Sequence, residues 1–202
     1  MIFVIDDFLK NPDKVRVDAY KMYANNSGID EFDNYPGLKI PIYDDALKIE
    51  LQNSVRKCVR QYVNLVECSF QFIDKSFVKG LPHDDSDVKF TSIIYMNINP
   101  EDNSGTEIYD YCYKSRDKCL YKEEDYILAY KRDFILEKNK SFLFKYLYGV
   151  LVDKVLKDQP CPTVVSNKYN RNLIFDSKYV HRAQNYFGKG RDSRLCLVSF
   201  YV

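Results

Sequence analysis

The stretch "GLPHDDSDVKFTSIIYMN" (residues 80–97) holds one of only two histidines in a chain of 202 residues. His83 is followed by aspartates at positions 84, 85 and 87. Side chains alternate between two faces in an extended segment, so His83 and Asp85 are expected to point the same way and Asp84 to point away. His83 and Asp85 would then be close enough to share one metal ion. Asp87 lies on the side of Asp85 and could replace it or tune its charge.

The other histidine is His181, in "SKYVHRAQN" (residues 177–185). Together with His83 and Asp85 it would complete a set of two histidines and one carboxylate, the facial triad of non-haem Fe(II) sites. Such a triad occupies one side of the ion and leaves positions open for chemistry. A single His-x-Asp is also typical of a surface loop with a polar histidine, so this motif needs support from the rest of the chain.

Outside this stretch, the periodicity of apolar residues predicts a mainly β protein with flanking helices. Strands are predicted within residues 2–9, 67–78, 89–98, 104–111, 170–177 and 193–202. One helix is predicted to begin at Asn11-Pro12-Asp13, where an N-cap residue precedes a proline and an acid. A second helix is predicted over residues 45–63. Its apolar stripe consists of Leu47, Leu51, Val55, Cys58, Val59 and Tyr62.

A single domain is expected over residues 1–202, with an insertion at about 110–160 that is long, charged and rich in tyrosine and lysine. Two segments of it, residues 123–138 and 141–156, could each form a helix, and Gly149 with many β-branched and aromatic residues leaves the second ambiguous. It falls between predicted strands, and two interpretations stay open. It forms a substrate-facing wall or lid, or it packs on the outside of the sheet or makes a dimer contact.

The order of the motifs resembles the 2-oxoglutarate/Fe(II)-dependent oxygenase superfamily, particularly its prolyl-hydroxylase-like branch. In that family a His-x-Asp precedes a strand ending in a Tyr-Leu-Asn-like triplet, and a Gly-Gly-Glu-like turn follows. A distal histidine comes later, with an arginine or lysine about ten residues beyond it. The resemblance covers about residues 67–109 and 165–202. The matching segments are "HDDSDVKFTSIIYMN", "SGTEIY", "NRNLIFDSKYVHR" and "SRLCLVSFYV".

This resemblance implies a double-stranded β-helix, a jelly-roll or cupin-like core backed by the N-terminal helices, with the helical insertion between core strands. It implies that His83, Asp85 and His181 hold iron. It also implies that Arg194 binds the distal carboxylate of 2-oxoglutarate and that Tyr95 shares that carboxylate. A guanidinium offers a carboxylate two parallel hydrogen bonds, which suits this role. Tyr95 as an ordinary core tyrosine, and Arg194 as a strand-end charge, stay open.

The sequence departs from the family pattern at several positions. The spacing from His181 to Arg194 is thirteen residues, because "NYFGKGRDS" (185–193) looks like an extended hairpin. Arg191, ten residues after His181, therefore competes with Arg194, but it lies in the glycine-rich turn whereas Arg194 begins a strand. Ser104-Gly105 replaces the glycine pair, and Cys196 stands where a small hydroxyl residue is usual.

The function implied by the resemblance is a dioxygenase that hydroxylates a C–H bond of an unidentified substrate and releases succinate and CO2. The cofactors would be Fe(II), 2-oxoglutarate and O2, with ascorbate left open. The substrate would be a peptidyl residue such as proline, or a small molecule. The alternative is a catalytically inactive binding or structural module on the same β-barrel. A cupin-like Zn or Mn enzyme is disfavoured, since such sites usually use more histidines than this chain has.

Composition limits the partners and the compartment. The net charge of +1 disfavours a nucleic-acid partner, although basic residues near the expected site (Lys79, Arg182, Lys189 and Arg191) leave a local groove open. No signal peptide or uncharged membrane-spanning run is present, and the six scattered cysteines fit reduced thiols, so a cytoplasmic location is expected. A homodimer is left open.

Overall fold

Two antiparallel sheets and two helices make up the part of the chain that the computed structural model describes, residues 1–26, 37–75, 80, 82–85, 87–109 and 161–202. The helices are α1 (Pro12–Asn26) and α2 (Asp45–Val59). The strands are β1 (Ile2–Ile5), β2 (Leu38–Pro41), β3 (Leu65–Ile73), β4 (Phe90–Tyr95), β5 (Thr106–Ile108), β6 (Thr163–Val165), β7 (Asn172–Asp176), β8 (His181–Ala183) and β9 (Arg194–Tyr201). The expected insertion at 110–160 lies outside the described residues, and so do the helices predicted within it.

The larger sheet has six strands in the order β1-β7-β4-β9-β3-β2, and its central strands are covered on both faces. Every residue of β4 is buried, and β9 is buried along almost its whole length. Alternate residues of β9 therefore face two different cores. Leu195 and Leu197 pack with the helices, whereas Cys196 and Val198 pack between the two sheets. This confirms the predicted mainly β architecture backed by N-terminal helices.

Both helices begin where the sequence predicted, but α2 ends earlier than predicted. Helix α1 begins at Pro12 as predicted, and α2 is capped by Asp44, whose carboxylate accepts a hydrogen bond from the Leu47 amide at 3.0 Å. The prediction that α2 reaches residue 63 is wrong. The helix ends at Val59 because Arg60 adopts a left-handed conformation with φ of 53°.

Tyr62, which was expected on the apolar stripe of α2, lies beyond this end and is 76% exposed. The guanidinium of Arg56 covers its ring at 4.2 Å. The same arginine donates from Nε to the Val63 carbonyl at 2.7 Å, which fixes the turn after the helix. The stripe therefore consists of Leu47, Leu51, Val55 and Val59, all buried, with Cys58 half-buried at its edge.

The smaller sheet has three strands in the order β6-β5-β8 and packs against the larger one. Gly105, just before β5, is required by close packing, because a Cβ at this position would lie 2.0 Å from the Val165 carbonyl oxygen.

The segment 185–193 is not the extended hairpin that the sequence suggested. Strand β8 pairs with β5 in the small sheet, and β9 pairs with β3 and β4 in the large sheet, so the segment crosses between the sheets. Gly188 and Gly190, both at positive φ, and a short 3-10 turn at Gly190–Asp192 shape the crossing. Among the described residues, neither helix has the length and apolar character needed to cross a membrane.

Candidate metal and co-substrate site

The two histidines are brought side by side by backbone pairing. The His83 amide donates to the His181 carbonyl at 3.0 Å, and the His181 amide donates to the His83 carbonyl at 2.8 Å. Directly opposed residues in an antiparallel pair place their side chains on the same face. The two imidazole rings accordingly lie with centroids 4.3 Å apart. The segment around His83 thus acts as a short extra strand beside β8.

Asp85 completes a cluster with the two histidines. Its amide donates to the Ser177 carbonyl at 2.8 Å, which anchors the backbone at the end of β7. One carboxylate oxygen lies 3.9 Å from His83 Nε2, and the other lies 3.4 Å from His181 Nε2. One ligand atom from each residue lies within 4.8 Å of the others, so the geometry brings together the three residues singled out in the sequence.

The orientation of His181 is set by its surroundings. The residue is 4% exposed, and its Nδ1 lies 3.0 Å from the Tyr179 carbonyl oxygen. A carbonyl oxygen only accepts hydrogen bonds, so Nδ1 carries a proton, and Nε2 is the ring nitrogen on the side of Asp85. Phe175 packs edge-on against the ring at 4.6 Å. This is the usual arrangement of a metal-binding histidine, whose second nitrogen is held by a backbone acceptor.

The donor set fits a non-haem Fe(II) site. Two imidazole nitrogens and one carboxylate oxygen approach from one side, as in a facial triad. Asp87, which the sequence left as a substitute ligand, is exposed and is not part of the cluster. His83 and Asp85 are partly exposed, so the cluster opens toward the surface on their side.

A second functional feature lies at Arg194, the first residue of β9. Its side chain is 4% exposed, and its Nε donates to the Ser104 carbonyl at 2.9 Å. Its guanidinium lies 5.6 Å from the ring centre of Tyr95 and 5.9 Å from that of Tyr186. The competing Arg191 is exposed and lies over the ring of Tyr20 in α1. Arg194, rather than Arg191, therefore lies in the space between the two sheets.

Tyr95 is fully buried beside this arginine. Its hydroxyl donates to Thr106 Oγ1 at 2.7 Å, which links β4 of the large sheet to β5 of the small sheet. Burial raises the pKa of Tyr95 to about 12, although Arg194 and the Thr106 hydrogen bond act in the opposite direction. The hydroxyl is therefore neutral at physiological pH and keeps a proton to donate. Burial likewise raises the pKa of the Tyr186 hydroxyl to about 12.

Sequence reasoning missed four polar residues around the metal cluster and the Tyr95–Arg194 pair. Thr91 donates to Asp85 Oδ2 at 2.8 Å and lies 2.9 Å from the Ser177 hydroxyl, while Thr106 and Tyr186 flank Tyr95 and Arg194. Only Thr91 carried a signal, since a hydroxyl on a strand buried on both faces needs a partner. The partner itself lies in another part of the chain and could not be read from spacing.

Arg182, one of the basic residues that left a nucleic-acid groove open, is paired. Its Nε donates to Glu107 Oε2 at 2.6 Å, and the Tyr109 hydroxyl donates to the same oxygen at 2.7 Å. Burial opposes ionisation of Glu107, but these hydrogen bonds and the charge of Arg182 lower its pKa overall. The positive charge of Arg182 is thus compensated within the small sheet. Lys79 lies outside the described residues.

Comparison with known proteins supports the fold. No protein-family model matches the sequence, and a search of curated proteins finds no match. Among solved structures, HygX from Streptomyces hygroscopicus with nickel and 2-oxoglutarate bound is 14% identical, with a TM-score of 0.59 over 99% of this chain and 81% of that chain. The epimerase SnoN in complex with Fe3+, alpha-ketoglutarate and nogalamycin RO is 10% identical, with a TM-score of 0.63 over 100% and 78%.

A prolyl hydroxylase from Trichoplax adhaerens, in complex with a hypoxia-inducible-factor peptide fragment, is 14% identical with a TM-score of 0.51 over 99% of this chain and 82% of that chain. At 10–14% identity this likeness shows the fold: the chain shares with these structures the jelly-roll fold that the motif order predicted.

Proposed function

We propose that this protein is an Fe(II)- and 2-oxoglutarate-dependent dioxygenase that hydroxylates a C–H bond of a substrate not yet identified. The observation that carries the proposal is the convergence of His83 and Asp85 with His181, which lies almost a hundred residues later in the chain. The fold alone would be compatible with a binding module. A preformed set of two imidazoles and one carboxylate favours catalysis, because it holds a metal and leaves coordination positions free.

In this proposal His83, Asp85 and His181 hold the iron. When bound together, iron and 2-oxoglutarate supply the activation of O2, with release of succinate and CO2. The chain itself contributes orientation. The Tyr179 carbonyl fixes the protonated nitrogen of His181, and the edge of Phe175 fixes the plane of its ring.

Arg194 would bind the distal carboxylate of 2-oxoglutarate. It is a buried guanidinium flanked by two aromatic rings, and its planar fork of donors suits a carboxylate in this low-dielectric space. Tyr95 would contribute its hydroxyl on the same side, by turning its single proton from Thr106 Oγ1 to the carboxylate; burial keeps that proton in place. Tyr186 would close the pocket around the guanidinium and limit access of water.

The strand register of the small sheet indicates the spacing between the Tyr95–Arg194 pair and the metal cluster. Tyr95 contacts Thr106, which is opposite Ala183 in the small sheet, whereas His181 is opposite Ile108. Two residues along a strand correspond to about 7 Å. A five-carbon dicarboxylate is of this length, so one molecule could extend from the metal cluster toward Arg194.

The substrate would be a peptidyl side chain or a small molecule. Structural neighbours of both kinds exist, since one is solved with a peptide fragment and another with nogalamycin RO. Both substrate classes stay open in this proposal. Ascorbate as an auxiliary reductant also stays open.

The test is an anaerobic titration with Fe(II) and 2-oxoglutarate, followed by exposure to O2. We expect one Fe(II) per chain, a weak visible charge-transfer band that requires both additions, and O2-dependent formation of succinate. His83→Ala should lose the band through loss of metal, and Arg194→Ala through loss of co-substrate with metal retained. Arg191→Ala is the matched control and should keep the band. Stoichiometric Fe(II) binding without succinate formation would favour the inactive module.

A further inference from the structure

A chain of buried hydroxyl groups reaches the Asp85 carboxylate from two central strands. Thr91 on β4 is 1% exposed, and Ser177, directly after β7, is fully buried. Thr91 Oγ1 lies 2.8 Å from Asp85 Oδ2 and 2.9 Å from Ser177 Oγ. Neither hydroxyl has a role in the proposed function as described so far.

The direction of these hydrogen bonds follows from the number of protons available. An ionised carboxylate only accepts hydrogen bonds, so Thr91 must use its single hydroxyl proton on Asp85. Thr91 can then only accept from Ser177, which acts as the donor. The Ser177 carbonyl in turn accepts from the Asp85 amide at 2.8 Å. Asp85 is therefore held at its backbone and at its carboxylate by the same pair of residues.

The position of Asp85 makes such support necessary. It lies in the segment between β3 and β4, where His83 is the one described residue that forms an isolated β-bridge, to His181 of β8. Its two carboxylate oxygens must be presented to a site shared with two imidazoles at 3.4 and 3.9 Å. Thr91, by contrast, lies on a strand that is buried on both faces and paired on both sides. A ligand on a loop gains precision when a rigid element holds it.

We propose that Thr91 is a positioning residue for the metal site, and that Ser177 orients and polarises its hydroxyl so that the Asp85 carboxylate is fixed in its metal-binding orientation. The inference rests on the proposed function, because it assumes that Asp85 is a metal ligand. Residues that support metal ligands in this way typically change metal affinity by about 10- to 100-fold when they are removed.

The experiment measures binding of Co(II) alone, a redox-stable probe, by calorimetric titration and by its visible absorption spectrum. Thr91→Val keeps the shape of the side chain but removes the hydroxyl, and we expect the Kd to rise by about 10- to 100-fold. Thr91→Ser restores the hydroxyl and should return the Kd to within about threefold of wild type. Ser177→Ala should give a Kd between those of wild type and Thr91→Val.

Ser92→Ala is the matched control. Ser92 is the neighbouring buried hydroxyl on β4, but it donates to Asn172 Oδ1 at 2.8 Å on the other face of the strand. This variant should lower the melting temperature about as much as Thr91→Val while leaving the Co(II) affinity and spectrum unchanged. The difference between the two variants separates a positioning role from a general loss of stability.

The outcomes distinguish the two proposals. If wild type binds no Co(II), the proposed function fails and the inference fails with it. If wild type binds Co(II) and folded Thr91→Val binds it equally well, the inference alone is overturned. Should Thr91→Val not fold, Ser177→Ala decides: wild-type affinity contradicts the hydroxyl chain, and weakened affinity with Ser92→Ala unchanged supports it.

Discussion

The two faces of the large sheet use the same strands for different purposes. On the face toward the helices, Leu195 and Leu197 of β9 join an apolar core with residues of α1 and α2. On the other face, Arg194 and Cys196 of the same strand lie beside Tyr95 in the space between the sheets. The first face buries apolar side chains together with neutral hydroxyls such as that of Ser92, while the second also accepts the buried charge of Arg194. A cost of this kind is typical of functional sites.

The largest expected effect comes from Arg194 on the inter-sheet face. Arg194→Leu keeps much of the bulk but removes the charge, and we expect the affinity for 2-oxoglutarate to fall by about 100-fold or more, because a buried carboxylate would lose its partner. Fe(II) affinity should change by less than about threefold. Anaerobic titrations with each ligand measure both quantities. Unchanged 2-oxoglutarate binding would contradict the assignment of the co-substrate site to the inter-sheet face.

On the helix-facing side, Leu197→Ala should lower stability without changing ligand affinity. Leu197 is fully buried in the helix-facing core. Its truncation should reduce the free energy of unfolding by about 2–5 kcal/mol through lost burial and cavity formation. Metal and 2-oxoglutarate affinities of the folded protein should stay at wild-type values. Denaturant unfolding and the same titrations check this, and a selective loss of ligand affinity would contradict the separation of the faces.

Tyr95→Phe sharpens the comparison on the inter-sheet face. If Tyr95 shares the 2-oxoglutarate carboxylate, loss of one hydrogen bond worth about 1 kcal/mol should weaken 2-oxoglutarate binding by about fivefold. If Tyr95 is only a core residue linked to Thr106, stability should fall by a similar free energy with no change in affinity. We expect the first result, and parallel measurements of KM and of thermal unfolding distinguish it from the second.

The smallest effect is expected at Asp6, an exposed residue directly after β1 at the edge of the large sheet. Hydrogen bonds from Arg171 and Lys168, together with their charges, hold the pKa of Asp6 well below its usual range. A lowered folded-state pKa adds stability above the unfolded-state pKa of about 3.9 and loses it as the pH falls below that value.

Asp6→Asn should therefore reduce the free energy of unfolding by a constant, modest amount above about pH 5, since surface pairs contribute about 0–1 kcal/mol. The difference from wild type should shrink as the pH falls below about 4. Urea unfolding at several pH values measures it. A difference that grows on acidification would show that the ion pair does not stabilise the folded state.

The sequence predicted the features that depend on local pattern. Alternation along residues 193–202 placed Arg194 and Cys196 on one face, and the rarity of histidine pointed to His83 and His181. Features set by distant partners were not predicted. The crossing between β8 and β9 looked like a hairpin because glycines suit both, and the donor to Asp85 comes from Thr91 through a contact between separate segments. The end of α2 at Arg60 was missed because a left-handed arginine has no sequence signal comparable to glycine.

The most direct test of the central claim is the location of a bound metal. Crystals of the protein grown anaerobically with Mn(II), a stand-in for Fe(II), would be measured at the manganese absorption edge. The account predicts one anomalous peak at bonding distance, about 2.0–2.3 Å, from an imidazole nitrogen of His83, a carboxylate oxygen of Asp85 and Nε2 of His181. A peak elsewhere, or a His83 ring turned away from the other two ligands, would contradict it.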